Sequence, residues 1–336
     1  MTGIERMRAT LDFKGPDRLP VDLWMHKATR MRYGAELDAL LEKYPLDMTR
    51  VFGPMDRHFY SNSYTAGSYI DFWGSEWEVL RSGMIGEVKK PVLSDIENVH
   101  ELKIPFDMLK SEMAEKMPAV KKTMKDLHER GVFVAGGNIE IYQLMQFIHG
   151  TENLLCNIGL EDKNAFLLRD KVAQYMNEYL KYWLDSEADA IFFADDFGSQ
   201  RAILMSLESF RKFFAPFYKD VFEKIHKAGK YVFFHSCGYI YEFYQDLIDL
   251  GADAINSQLS CMGYEKVAKA FAGKITFWGE IDRQNTLCKG TPQDVQNEMN
   301  LMKKLFSVNG GGLIGHSVAG VDVPLENIKT LLSGWN

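Results

Sequence analysis

Residues 231–238 read YVFFHSCG, an apolar run that ends in a histidine, a cysteine and a glycine. A comparable run, DAIFFADD, occupies residues 189–196. Between the two runs, residues 207–227 carry apolar side chains at helical spacing. A strand, a helix and a second strand in this order predict two parallel strands joined by a crossover helix. The two runs therefore predict an α/β fold with a buried parallel sheet.

The same alternation recurs along most of the chain, and eight short apolar or β-rich runs mark candidate strands. They occupy residues 20–24, 47–53, 131–137, 189–196, 231–237, 252–258, 275–282 and 311–317. Eight strand–helix units predict a closed (β/α)8 TIM barrel, with an open, doubly wound parallel sheet as the alternative. Because no internal repeat or long flexible linker divides the chain, residues 1–336 are predicted to form one domain.

Residues 54–121 interrupt this rhythm. Within them, residues 68–80 alternate in the manner of a β-hairpin, and residues 108–117 have a helix-like pattern. This segment is predicted to be a hairpin and helical cap that is inserted after the second strand and covers one mouth of the barrel.

Composition excludes two classes of partner. The formal net charge of −7 comes without a cluster of Lys and Arg, so nucleic acids and anionic membranes are not expected partners. No segment approaches the roughly 18–20 apolar residues of a membrane span, and no apolar signal region follows Met1. The four cysteines lack a framework spacing, which is typical of reduced thiols. The sequence therefore predicts a cytoplasmic protein that acts on a small molecule.

The carboxyl ends of the strands carry the reactive residues of a (β/α)8 barrel. His235 and Cys237 are two residues apart at such an end, so their side chains share a face and can reach one ion. Zinc is the predicted ion because it binds imidazole and thiolate ligands. His316, at the end of the last strand, is the predicted third ligand. The alternative is a metal-free pocket in which the histidines bind an anionic substrate and Cys237 is a buried thiol.

Further polar residues at strand ends complete the predicted site. Glu280 is a candidate fourth ligand, a carboxylate that orients an imidazole, or a catalytic carboxylate. Only one of the adjacent Asp195 and Asp196 can face the pocket. Asp195 is the predicted catalytic carboxylate, and a helix cap is the alternative role for the pair. The predicted substrate-binding residues are Asn138, Gln258, Trp278 and His26.

Three motifs carry a family resemblance: PDRLPV at residues 16–21, FWGEID at residues 277–282, and GH followed by VPLEN within residues 315–327. Over nearly its whole length the chain resembles the uroporphyrinogen decarboxylase superfamily, which implies a (β/α)8 barrel. Decarboxylases of this superfamily share an arginine-bearing segment after the first strand, where residues 23–27 of this chain read LWMHK. This departure, with a mouth predicted to be acidic, argues against a porphyrinogen substrate that has several carboxylates.

The His-x-Cys-Gly motif at residues 235–238 is similar to that of zinc-dependent, corrinoid-linked methyltransferases within the superfamily. The resemblance implies a zinc ion held by the His-x-Cys pair and by a late third ligand. That ligand is a cysteine in thiol-methylating members and matches His316 here. A site with less sulfur is better suited to an oxygen-bearing leaving group. The favoured function is therefore transfer of a methyl group from a methoxylated small molecule to the cobalt of a corrinoid (cobalamin) on a separate partner protein.

Three other functions stay open at this point. The methyl group can flow in the opposite direction, from a methylcorrinoid to a thiol of the coenzyme M type. The protein can be a metal-free decarboxylase of the uroporphyrinogen type. It can also be a barrel without catalytic activity that binds a corrinoid or a tetrapyrrole.

Overall fold

Short strands alternate with helices in the computed structural model, which describes residues 1–56 and 61–335. The strands are β1 (Trp24–Met25), β2 (Met48–Val51), β3 (Gly67–Ile70), β4 (Glu76–Val79), β5 (Glu87–Lys90), β6 (Phe133–Ile139), β7 (Ala190–Ala194), β8 (Tyr231–His235), β9 (Ala254–Asn256), β10 (Thr276–Trp278), β11 (Leu313–Ile314) and β12 (Val318–Ala319). A parallel sheet contains β2 and β6 to β11 in the order β11-β10-β9-β8-β7-β6-β2.

The sheet closes through the first strand of the chain. Strand β12 continues β11 and pairs in parallel with β1, so that Trp24 lies opposite Val318. On the other side, the Asp47 backbone N–H donates to the Val21 carbonyl at 2.9 Å and joins this region to β2. Each of the eight predicted runs contains residues of a described strand. The predicted (β/α)8 barrel is therefore confirmed, and an open sheet is excluded.

Helices surround the barrel and bury one face each against it. They are α1 (Gly3–Leu11), α2 (Lys27–Lys43), α3 (Phe106–Glu129), α4 (Tyr142–His149), α5 (Thr151–Gly159), α6 (Lys163–Leu184), α7 (Leu207–Phe213), α8 (Ala215–Lys227), α9 (Tyr244–Leu250), α10 (Leu259–Met262), α11 (Tyr264–Phe271), α12 (Thr286–Lys289), α13 (Pro292–Phe306) and α14 (Leu325–Gly334). In α8, for example, Phe217, Val221 and Ile225 recur every four residues and are buried. Among the described helices, none has the length and apolar character that a membrane crossing requires.

The inserted segment forms more structure than a hairpin. Strands β3, β4 and β5 make a three-stranded antiparallel sheet, in which Tyr69 lies opposite Trp77. The predicted helix at residues 108–117 lies in the amino-terminal half of α3, which packs against β6 and α6 and therefore belongs to the barrel. The insertion after the second strand is thus confirmed as a sheet-containing cap. Residues 57–60 of the predicted insertion lie outside the described residues.

Large side chains fill the interior of the barrel. Phe133, Phe192, Phe233 and Trp278 are each at most 1% exposed, and the rings of Phe233 and Trp278 lie 5.1 Å apart. Trp24 covers this layer, with its ring 4.9 Å from that of Trp278. Because the interior is packed, a ligand can enter only above Trp24, at the carboxyl ends of the strands.

Three aspartates stabilise the opposite, amino-terminal end of the barrel. Asp47, Asp189 and Asp253 each precede a strand, and each side chain accepts a hydrogen bond from a backbone N–H near the start of a neighbouring strand region. Each also pairs with a basic side chain, and Asp47 pairs with both Arg6 and Arg18, at 2.5 and 2.7 Å. These carboxylates stabilise the fold, because the reactive residues of a (β/α)8 barrel lie at the other mouth.

Replacing Asp47 with alanine should lower the free energy of unfolding by about 3–5 kcal/mol, because it removes the buried carboxylate that pairs with both Arg6 and Arg18. Urea denaturation followed by circular dichroism measures the change. Asp17→Ala is the matched control, since it removes the exposed carboxylate that pairs with Arg6 and should cost at most about 1 kcal/mol. Equal losses in the two variants would contradict a structural role specific to Asp47.

Candidate metal centre

Three metal-binding side chains converge where β7 and β8 end. The donor atoms of Asp196, His235 and Cys237 all lie within 4.8 Å of one another. His235 Nε2 is 3.4 Å from Cys237 Sγ and 3.5 Å from Asp196 Oδ1. Within residues 1–56 and 61–335, no second group of three or more such residues has this spacing. We refer to Asp196, His235 and Cys237 as the ligand group.

The turn after β8 brings Cys237 to this position. Its backbone N–H donates to Asp196 Oδ1 at 2.8 Å, which ties the two strand ends together. Gly238 then adopts a φ of 80°, and a Cβ atom there would lie 2.4 Å from the carbonyl oxygen of Gly198. Only glycine fits this close approach. The Cys-Gly pair therefore holds the thiol beside the end of β7.

His235 is in the protonation state and orientation that a metal requires. Burial lowers the pKa of His235 to about 4, so the ring is neutral near pH 7. Its Nδ1 lies 2.5 Å from Asn256 Oδ1, which leaves Nε2 directed toward Cys237 and Asp196. A neutral imidazole with an available nitrogen is the form that binds metal ions.

Arg283 and Glu280 adjoin the ligand group. Arg283 Nη2 donates to Cys237 Sγ at 3.4 Å, and Arg283 Nε lies 3.3 Å from Glu280 Oε1. Burial raises the pKa of the Cys237 thiol to about 12 and that of Glu280 to about 7. Neither oxygen of Glu280 has a hydrogen-bond partner among the described residues. A buried carboxyl group without hydrogen bonds is costly, which is typical of a functional site.

A cavity of about 380 Å³ opens beside the ligand group. Its walls are mostly aromatic and aliphatic. The lining residues are Trp24, Met25, His26, Lys27, Arg50, Phe52, Tyr64, Gly83, Met84, Ile85, Asn138, Gln143, Phe192, Ala194, Asp196, His235, Arg283 and Val318. We call this space the main cavity. Met84 and Ile85 come from the loop between β4 and β5, so the inserted cap forms part of its wall.

Basic side chains outnumber acidic ones around the main cavity. Its described lining includes Lys27, Arg50 and Arg283 but a single carboxylate, Asp196. The guanidinium of Arg50 lies 3.8 Å from the ring centroid of Trp24. The prediction of an acidic mouth is therefore wrong for this cavity, because the net charge of a whole chain does not fix the charge of one pocket. Such a lining favours an anionic group on the ligand.

A second cavity of about 350 Å³ lies between the inserted sheet and helices α3, α4 and α6. Trp73, Trp77 and Tyr175 form part of its aromatic lining. Asn138, one of the predicted substrate-binding residues, lines both this space and the main cavity. No member of the ligand group lines the second cavity, so the metal chemistry belongs to the main cavity.

His316 and Trp278 lie in the barrel core below the ligand group. His316 is fully buried, and its Nδ1 is 2.9 Å from Asp22 Oδ2. Trp278 Nε1 donates to the same oxygen at 2.9 Å. The structure therefore gives the third position of the ligand group to Asp196 instead of His316, because Asp22 holds the imidazole inside the barrel. Trp278 packs in the core and does not line the main cavity as a substrate contact.

Asp195 and Asp196 point in opposite directions, but Asp196 is the one that faces the main cavity. Asp195 is fully buried and accepts hydrogen bonds from the backbone N–H groups of Ile141 and Gln143 and from the Tyr218 hydroxyl. The first two donors belong to the start of α4. The predicted catalytic carboxylate, Asp195, therefore lies outside the lining of the main cavity, with its oxygens occupied by these donors.

Of the other two predicted substrate-binding residues, His26 lines the main cavity and Gln258 does not. His26 lines the main cavity, and its buried Nδ1 has no hydrogen-bond partner among the described residues. Burial lowers the pKa of His26. Gln258 is buried beside Gln200 and lines, with Glu280, a separate space of about 10 Å³. Arg283 borders both spaces and separates Glu280 from the main cavity.

Sequence reasoning missed Asp22, Arg50 and Arg283. Asp22 and Arg50 stand within two of the predicted strand runs, residues 20–24 and 47–53. A charged residue inside such a run needs a partner or a cavity, so this signal was available. Arg283 follows the last predicted residue of the seventh run, and nothing in its local sequence distinguishes it from a surface arginine.

Comparison with known proteins identifies the family of this chain. Residues 74–334 match the family model described as uroporphyrinogen decarboxylase (URO-D). The uroporphyrinogen decarboxylase of Chlorobium phaeobacteroides is 27% identical over 183 residues, which cover 51% of this chain and 48% of that protein. The chain thus spans about half the length of that curated relative in the match.

One solved structure, a methyltransferase from Methanosarcina mazei, shares the fold along the whole chain. Its TM-score is 0.73 at 17% sequence identity, and the alignment covers 100% of this chain and 98% of that one. At this identity the likeness shows a common fold. The family resemblance seen in the sequence motifs is confirmed by the match over residues 74–334. The chain belongs to the uroporphyrinogen decarboxylase family.

Proposed function

We propose that this protein is a zinc-dependent methyltransferase that moves a methyl group from a methoxylated small molecule to the cobalt of a corrinoid carried by a separate protein. The ligand group carries this proposal, because three donors of different chemistry converge beside a cavity large enough for a small molecule. A fold shared with a methyltransferase is consistent with it. The partner protein would dock over the mouth of the barrel.

The residues present fit a zinc ion. A carboxylate oxygen, a neutral imidazole nitrogen and a sulfur are all zinc ligands, and three protein ligands leave one position open for substrate. The charges also balance: Asp196, a Cys237 thiolate and an ionised Glu280 contribute three negative charges, and Zn²⁺ with Arg283 contributes three positive ones. When bound, zinc would supply Lewis-acid polarisation of the substrate oxygen. Zinc binding would also release the Cys237 proton.

The cavity residues assign roles on the substrate side. The aromatic rings of Phe52, Tyr64 and Phe192 provide walls for an aryl ring. Arg50 and Lys27 would bind an anionic substituent of the donor, away from the ligand group. Asn138 and His26 offer polar contacts on the same cavity.

Arg283 has the position of a hydrogen-bond donor to the leaving oxygen. Its Nη2 lies 3.4 Å from Cys237 Sγ, so its N–H groups reach the space next to the ligand group. A donor aimed at an oxygen that gains negative charge stabilises the transition state. Glu280 lies behind the guanidinium, so we assign it the role of holding Arg283 in place instead of transferring the proton itself.

A metal-free decarboxylase is the main competing function within the family. It has no need for a converging carboxylate, imidazole and thiol. The main cavity of about 380 Å³ is also near the lower end of the range of about 300–1,000 Å³ for small-molecule pockets, and a tetrapyrrole with several carboxylates needs a wide cleft.

Four assays on protein purified without added zinc separate the candidates. We expect stoichiometric zinc by elemental analysis, and methylation of cob(I)alamin with methoxylated benzoates as donors. Demethylation of methylcobalamin that depends on a thiol would instead establish transfer in the reverse direction. A folded protein that lacks zinc and decarboxylates uroporphyrinogen would overturn the proposal.

The adjacent aspartates should give opposite phenotypes. Asp196→Ala removes a proposed ligand and should weaken zinc binding by at least about 10–100-fold while unfolding at nearly the same urea concentration. Asp195→Ala leaves buried donors unpaired and should lower the free energy of unfolding by about 1–3 kcal/mol while zinc affinity is kept. Chelator competition and urea denaturation of both variants measure this. The same phenotype in both variants would contradict the assignment of Asp196 as a metal ligand and Asp195 as a structural residue.

A further inference from the structure

A buried chain of hydrogen bonds runs from His235 across the barrel interior. His235 and Asn256 are neighbours in the register of β8 and β9, and His235 Nδ1 lies 2.5 Å from Asn256 Oδ1. Asn256 Nδ2 donates to the Trp278 carbonyl oxygen at 2.6 Å. Trp278 Nε1 then donates to Asp22 on the first strand region. Asn256 is fully buried, so protein groups alone satisfy it.

The chain of hydrogen bonds has only one possible direction. The Trp278 carbonyl oxygen can only accept, so the amide nitrogen of Asn256 must face it. The amide oxygen of Asn256 therefore faces His235, and an oxygen there requires a proton on His235 Nδ1. With Nδ1 protonated in a neutral ring, Nε2 keeps its lone pair and faces Cys237 and Asp196.

We infer that Asn256 is a positioning residue that fixes the His235 tautomer and thereby prepares Nε2 for the metal. The inference rests on the proposed function insofar as the metal is zinc, but the tautomer itself is a property of the chain. A partner on the far ring nitrogen of a metal-binding histidine sets both ring orientation and basicity. In this barrel the partner is an amide, held in turn by the backbone of β10.

The tautomer is tested first, on protein from which metal has been removed with a chelator. In protein labelled with nitrogen-15 at histidine, long-range proton–nitrogen spectra distinguish rings that carry the proton on Nδ1 from rings that carry it on Nε2. His235→Gln identifies the His235 signals by their loss. We expect the Nδ1–H form in the wild type and a mixture or the Nε2–H form in Asn256→Ala. An Nε2–H ring in the wild type would overturn the inference.

Zinc affinity gives the second readout, by competition with a chromophoric chelator. Asn256→Ala should bind zinc about 10–100-fold more weakly than the wild type. Asn256→Asp keeps an acceptor for Nδ1–H, so we expect it to retain most of the affinity although it cannot donate to the Trp278 carbonyl. A residue that served folding alone would lose affinity equally in both variants, and that result would refute the positioning role.

Asn327→Ala is the matched control. Asn327 is also a buried asparagine, and its Nδ2 donates to the carbonyl oxygens of Leu287 and Gly290, away from the ligand group. Its loss should lower stability and leave zinc affinity unchanged. If the wild type binds no zinc, the proposed function fails while the tautomer measurement still decides the role of Asn256. If the wild type binds zinc and Asn256→Ala binds it equally well, the inference alone fails.

Discussion

Replacing Cys237 with serine is expected to give a folded barrel that no longer retains zinc and no longer methylates cob(I)alamin. The thiolate is the strongest zinc ligand of the group, and a serine hydroxyl does not ionise to replace it. The loss of zinc affinity should exceed the factor of about 10–100 that follows loss of a group outside the coordination sphere. Elemental analysis after gel filtration and chelator competition measure the loss of zinc, and spectroscopy of the cobalt measures the loss of transfer.

Cys261→Ser separates this effect from a general sensitivity to cysteine replacement. Cys261 is a half-buried thiol that donates to the Gln258 carbonyl at 3.0 Å, a contact that a serine hydroxyl can also make. It lies outside the ligand group. Zinc content and activity should stay at wild-type levels in this variant. Full zinc content in Cys237→Ser would remove the basis of the proposed chemistry.

The strand count was predictable because the barrel strands are buried on both faces. Such strands appear in the sequence as short apolar runs separated by helical segments, which is why all eight runs contain strand residues. Because both faces of these strands are apolar, the sequence does not show which residues face the barrel interior and which face the helices. In β7, Phe192 faces the barrel interior and Phe193 packs against Phe222 on the outside, yet both are buried aromatics. Hydrophobicity therefore could not decide between Asp195 and Asp196.

In β8, by contrast, the polar residues themselves revealed the inner face. His235 and Cys237 are two residues apart at the end of an apolar run, so a shared pocket followed from their spacing. His316 offered no such pattern, since its partner Asp22 comes from the opposite end of the chain. Only the closure of β12 on β1 brings these two residues together. Contacts of this kind depend on the tertiary fold and leave no local signal.

Replacing Arg283 with methionine is expected to lower kcat by about 10²–10³-fold while zinc stays bound. This is the typical cost of removing one preorganised donor to an oxygen that gains negative charge. Zinc should be retained because Arg283 is not a ligand, and loss of a neighbouring positive charge does not weaken cation binding. Steady-state methylation of cob(I)alamin, normalised to zinc content, measures the effect. A change confined to KM would assign Arg283 to ground-state binding of the donor instead.

The Arg283→Met variant also leaves Glu280 buried beside no cation, since Arg283 Nε is 3.3 Å from its Oε1 and neither oxygen has a hydrogen bond among the described residues. Breaking such a pair destabilises a protein, and removing both charges restores stability. The double variant Arg283→Met/Glu280→Gln should therefore unfold at a higher urea concentration than the single variant. Its rate of cob(I)alamin methylation should stay as low as that of the single variant. Recovery of the rate together with stability would show that Arg283 acts only on the fold. A rate that stays low in a stable double variant places the guanidinium in the transfer step.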